Sequence, residues 1–323
     1  MSAENQHWVP KLLLKNFADA GRVYCFDIHS GEVTKPPPKF AACEPGFNDF
    51  EIDGKRVSFE DKFEKIETKA APILRRIVAG RNLAGLSALA RRHVARFIAA
   101  QSFRTKAFYE GLTDKPSRAD FGTVFKYMWH SLFVTAQEIA SRHWALMVID
   151  GDDGFYLGDN PVVLQRTYEP KNGKDLGFDV VGVEAFLPLS PVCALYLACP
   201  TISRMIINSY EQAMTVHRMA RVAIFSARGI GRADLLETQA TLRRTGQLYS
   251  AFTEGTPLAA TSANIENLNY LQCSWSLNKV HSNRKDFAFA RKVFRQSPQY
   301  REAVRTSLLE KGRILLPAED SDG

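Results

Sequence analysis

The sequence predicts an α+β fold, a helical layer packed on a mostly antiparallel sheet, and two patterns predict it. Between residues 59 and 144 apolar side chains recur at three- and four-residue spacing, the period of amphipathic helices. Between 145 and 197 they come instead in short runs, with gaps too short for helical crossovers, which favours antiparallel pairing. The 323 residues read as a single large domain, 1–323, with an N-terminal hairpin segment over 1–40, a helical part over 59–144 and an α+β part over 145–315.

Each element follows from its own pattern. Leu12, Leu13, Leu14 and Phe17 form an apolar cluster, and 22–26 pairs with a second short strand after His29-Ser30-Gly31 as a hairpin. Pro36-Pro37-Pro38 then forbids helix and central strand and marks an extended connector. Phe63, Ile66, Ala70, Ile73, Leu74 and Ile77 share one helical stripe, stopped by Gly80. A second helix carries Leu86, Ala90, Val94, Phe97, Gln101, Arg104 and Phe108 on one face; a third carries Phe121, Phe125, Met128, Leu132, Ala136, Ile139 and His143. Strands at 145–149 and 155–157 flank the turn residues Asp150-Gly151-Asp152-Asp153-Gly154 as a hairpin, and 161–164 continues the same sheet. Two buried strands, 185–189 and 192–197, bracket Ser190-Pro191. Helices are expected near 206–219, 233–245, 262–273 and 284–295, short strands at 221–226 and 277–281, and a frayed end at 319–323.

Composition narrows the function classes. With 45% hydrophobic and 24% charged residues the chain is neither a collagen, a coiled-coil rod nor a mostly disordered chain. Its formal charge of +7 favours anionic partners, nucleic acid among them. No apolar run approaches the roughly 20 residues that cross a bilayer, and the first residues lack a secretory plan, so no membrane partner and a cytoplasmic location are expected. Five cysteines without a Cys-x-x-Cys argue against a disulfide framework or zinc knuckle. There is no P-loop, no His-Glu-x-x-His and no serine set between glycines as in a nucleophile elbow.

Three polar constellations remain. In Gln6-His7-Trp8-Val9-Pro10 a titratable imidazole precedes a proline that fixes the backbone; it can act as a base, or simply cap a neighbouring segment. In Gln101-Ser102-Phe103-Arg104-Thr105, Gln101 and Arg104 lie on the apolar stripe of a helix. A buried guanidinium demands an anion, either an acidic side chain or a ligand. In Gly158-Asp159-Asn160-Pro161-Val162 the proline leaves Asp159 at a strand end, the best single candidate to pair with Arg104. The same segment can also be an Asx-type turn that caps its own backbone.

In this order the three pieces resemble an uncharacterised, mainly bacterial domain-of-unknown-function family with an N-terminal His-Tyr-Val-Pro motif. Trp8 stands where that family usually has tyrosine, and Gly158 where its Ser-Asp-Asn-Pro-Val segment has serine. Leu14, Asn16, Phe17, the segment Leu187-Pro188-Leu189-Ser190-Pro191 and Asn269 also fit. The resemblance implies that distant polar residues belong to one recurring pattern and carries no established activity.

On these grounds His7, Gln101, Arg104, Thr105, Asp159 and Asn160 are expected to line one cleft. As an enzyme this would be a metal-assisted phosphodiesterase or nuclease. Asp159 would hold Mg or Mn or orient a water, His7 would move a proton, Arg104 would stabilise charge on a phosphate, and Gln101, Thr105 and Asn160 would bind substrate. The alternative is a non-catalytic anion-binding or sensing module, in a defence setting for instance, whose same residues are structural. Exposure separates the two, because catalysis needs a reachable cleft.

Overall fold

The computed structural model describes residues 5–52, 54–112, 118–167, 176–226 and 232–296. The side chains of Phe121, Phe125 and Met128, the residues after 296 and hence the expected frayed end lie outside the described residues.

An N-terminal strap comes first: β1 (Asn5–His7) runs into Pro10, which opens the short helix α1 (Lys11–Asn16) with Leu13 and Leu14 buried. The expected hairpin follows as β2 (Tyr24–Asp27) and β3 (Val33–Thr34), and the three prolines lead into a single 3-10 turn at Pro38–Phe40. β4 (Cys43–Pro45) returns to pair antiparallel with β1, and β5 (Asp49–Ile52) and β6 (Lys55–Ser58) form a separate ribbon.

The helical layer then appears as α2 (Glu60–Gly80), α3 (Ala88–Phe103), α4 (Lys106–Leu112) and α5 (Arg118–Ser141). The second expected helix is two. It stops at Arg104, and the Thr105 hydroxyl accepts the Phe108 N–H at 3.2 Å, so a new helix starts with its own cap. His143 likewise leaves the third helix and begins β7 (His143–Val148).

The main sheet runs β12-β7-β11-β10-β9, built from β7, β9 (Val163–Arg166), β10 (Val183–Ser190), β11 (Cys193–Ala198) and β12 (Pro257–Ala259). All of its pairings are antiparallel except β12 on β7. β8 (Leu157–Gly158) corrects the sequence reading. It does not form a hairpin with β7; it joins a second antiparallel sheet, β3-β2-β13-β8, through β13 (Lys279–Ser282). The aspartate-rich turn therefore crosses between two sheets. A second correction lies at 221–226, which is the last part of the long helix α6 (Pro200–Ser226) and not a strand. α6 continues against α7 (Arg232–Glu254), and this pairing favours helix over an isolated strand.

α8 (Ser262–Trp275) and α9 (Ala288–Gln296) complete the chain. One apolar core, from Trp8 to Trp275, fills the space between the helical layer and one face of the main sheet. A smaller cluster with Phe26, Cys273 and Phe287 joins the second sheet to α8 and α9, and Ala145, Ala198, Ala251 and Phe252 seat the α6–α7 pair on the other face of the main sheet. Gly255 is required where the chain leaves α7, with φ +75° and a position for Cβ only 2.5 Å from the Leu83 carbonyl carbon.

His281 on β13 is fully buried. Its Nδ1 donates to the Leu157 carbonyl at 3.0 Å, its Nε2 has no partner, and burial holds the ring down to about 4. A histidine depressed in the fold stabilises it above the unfolded value of 6.5, and this contribution is lost as pH falls toward 4. The difference in unfolding free energy between wild type and His281→Asn, from urea melts, should shrink by about 3 kcal/mol over that interval. A difference that stays constant with pH would contradict a neutral, buried ring.

Candidate functional site

The Gln6-His7-Trp8 strap meets the helical motif where it crosses α3. Gln101 donates from Nε2 to the Trp8 carbonyl at 2.7 Å, satisfying a backbone acceptor that enters the core. Trp8 packs on Phe47, and the Lys106 ammonium lies 4.3 Å above its indole while donating to Glu44 at 2.5 Å. His7 is buried, with Nε2 3.3 Å from the Pro38 carbonyl. Burial first, then the Lys11 and Arg104 charges, hold its ring below the usual histidine range, so at neutral pH it is an uncharged donor to that carbonyl.

Arg104 is 3% exposed and finds its anion in Glu67 of α2, at 2.6 Å, with its guanidinium 4.8 Å above the Phe63 ring. The expected partner was Asp159, and the structure replaces it with Glu67. Glu67 falls four residues after Phe63, beside the apolar stripe of the neighbouring helix, so the α2 register already places an acid within reach. Gln101, Arg104, Glu67, Phe63, Ile66, Phe97 and Ala100 line a narrow gap with no room for a water molecule.

Sequence reasoning missed the other half of this network. Gln6 donates from Nε2 to Asp49 at 2.8 Å and accepts the Asn48 N–H. Asn48 donates to Glu60 at 2.6 Å and accepts from the Tyr109 hydroxyl at 3.3 Å. Burial pushes Glu60 up against the pull of Arg104 and Asn48. Asp49 goes the other way: burial raises it, but hydrogen bonds from Ser58, Gln6 and Arg56 outweigh that and hold it low. Asn48 and Asp49 lie in a short aromatic-rich segment with no spacing motif, so only the fold reveals them.

Asp159 and Asn160 are also buried but belong elsewhere. The Asp159 carboxylate accepts the N–H groups of Leu277, Asn278 and Lys279 at 2.8, 2.8 and 2.9 Å, fixing the chain into β13. Burial raises it to about 6, opposed by those three donors and by the more distant Lys106. It remains ionised at neutral pH. The residue does not fit the expected metal role, since both oxygens are occupied by N–H donors. Among the described residues no group of three or more His, Cys, Asp or Glu could hold an ion.

Two amides of α8 extend this clamp. Asn269 accepts the Tyr156 N–H and donates to the Gly154 carbonyl, and Gln272 accepts the Gly158 N–H and donates to the Pro161 carbonyl. A Cβ on Gly158 would lie 2.4 Å from the Ser276 hydroxyl and 2.8 Å from the Gln272 carbonyl, so the serine usual in the resembling family has no room here.

The expected shared cleft is thus divided. Gln6, His7, Gln101, Arg104 and Thr105 stand together on the helical side, while Asp159 locks the second sheet and Asn160 is buried beside it in sequence. This pattern of an α+β core sealed by two sets of buried amides and acids is the class of protein that the fold defines. The chain belongs to the family described as a protein of unknown function, DUF4238, whose profile matches residues 5–286. No curated protein and no solved structure matches the chain.

Two stability predictions follow from these contacts. Glu67→Gln leaves the Arg104 charge buried and should cost about 2 kcal/mol in urea melts, less than a fully sealed pair would lose because the Glu67 side chain is 25% exposed. Adding Arg104→Met should restore most of the loss. Asp159→Asn turns an amide NH2 against backbone donors and should cost about 3 kcal/mol, with no rescue by either change. Equal rescue of both would mean that the two sets act as one site.

Proposed function

We propose that this protein is a non-catalytic module that binds a phosphate-rich polyanion such as nucleic acid, and that its signature residues serve the fold. The observation that carries the reading is on the outer face of the helical layer. His93 of α3 stands among Lys69 of α2 and Arg92 and Arg96 of α3, and burial together with these three charges lowers its ring. None of the three cations is in an ion pair among the described residues. Three cations without an ion pair, close enough to act on one ring, give this face a basic character, in keeping with the formal charge of +7.

The non-catalytic half of the reading is supported by what the signature residues already do. His7 faces a carbonyl, Arg104 is neutralised by Glu67 and Asp159 is filled by three N–H donors.

The test is binding of labelled RNA and DNA oligonucleotides by fluorescence anisotropy across salt concentrations. The logarithm of the affinity should fall linearly with log salt, and Lys69→Glu with Arg92→Glu and Arg96→Glu should weaken binding by about tenfold or more while the fold is retained. Absence of binding at low salt would overturn the proposal. So would cleavage of either substrate with magnesium or manganese that disappears in a folded His7→Ala variant.

A further inference from the structure

The basic face of the helical layer also carries aromatic rings. Phe133 of α5 is 44% exposed, and the Arg96 guanidinium of α3 lies 5.6 Å from its ring centroid. One turn earlier on α5 the half-buried Trp129 meets Phe133 edge-on, with centroids 6.1 Å apart and planes at 86°. The Lys62 ammonium of α2 sits 4.9 Å over that indole and 4.4 Å over the Phe59 ring. Two rings one turn apart on a helix therefore form a step with a cation at each end. Arg96 also stands one turn after His93, so the step adjoins the cations already described.

Burial does not account for Phe133. A ring left almost half in water adds little to the core, yet Trp129, itself packed on that core, braces it. A planar group that settles on the exposed ring therefore has little side-chain motion to freeze. Neither Lys62 nor Arg96 forms an ion pair among the described residues, so both charges are available to an outside anion. A ligand that answers all of this is flat-faced and anionic at once, as a nucleobase with its phosphate is. In a duplex the base faces are covered by their neighbours, whereas in a single strand they can be reached.

We propose that this face takes single-stranded nucleic acid in preference to duplex, with one base stacked on Phe133 and the flanking phosphates held by Arg96 and Lys62. The inference rests on the polyanion-binding reading and names its substrate class. Acids nearby limit the path of the strand. Asp61 and Glu64 line a separate groove of α2 with Lys65, Thr68 and Lys69, which neither ring borders, and their charge keeps a phosphate chain out of it and on the side of α3 and α5. Every base has a π face, so an exposed phenylalanine accepts any of them and no sequence preference is expected.

The test is fluorescence anisotropy on the full chain with one labelled oligonucleotide of mixed sequence, as a single strand and annealed to its complement, in RNA and DNA forms. Wild type should bind the single strand about tenfold more tightly than the duplex at equal salt. Phe133→Ala should lose about tenfold on the single strand, bring the preference close to one and leave the slope against log salt unchanged, because a stack is lost and no phosphate contact. Phe133→Trp should restore the preference. If urea melts show Phe133→Ala to be unfolded, Phe133→Leu, which keeps apolar bulk without a ring face, makes the same comparison. Equal wild-type affinity for both forms, or a preference that survives loss of the ring, would overturn the inference while the charge-reversed triple variant still reports on the basic face. No binding of either form at low salt would remove the polyanion reading and this inference with it.

Discussion

A backbone carbonyl carried into an apolar core must meet a donor there, and the Trp8 carbonyl meets the Gln101 amide. The rest of the helical side depends on that contact. It holds the strap against α3, which brings Gln6 to Asn48 and Asp49 and places His7 beside Pro38. The same crossing lays Trp8 under Lys106. Removing the Gln101 donor would leave a buried acceptor unpaired inside a cluster of aromatic rings, where its desolvation is most costly.

The second sheet depends on a parallel arrangement. Its strands come from residues near both ends of the described chain and, for β8, from its middle, with β2 and β13 side by side, and nothing local in sequence holds them there. The Asp159 carboxylate and the Asn269 and Gln272 amides supply the missing partners by bonding backbone groups directly. A side chain that satisfies backbone groups more than a hundred residues away gives a fold of this topology its register.

The helices were legible because their apolar spacing is strong, and the adjacent β10 and β11 because a short polar turn separates two apolar runs. The break at Arg104 was hidden, since one stripe continues across it and only the Thr105 cap divides it. The membership of β8 in the second sheet was hidden too, because its partners are the backbone of 277–282, which carries no side-chain signature. Arg104 was correctly read as needing an anion. Its partner was misread because Asp159 stood out as a motif while Glu67 sat unremarked beside a helical stripe.

The central claim is that the strap is locked into the core by buried polar contacts. Native-state hydrogen exchange tests it most directly, by comparing the Gln6, His7 and Trp8 amides with those of β10 and β11. The account predicts that all of them exchange only through global unfolding, with the same dependence on denaturant. Strap amides that exchange far faster than the sheet, independently of denaturant, would show the strap opening by itself and would contradict it.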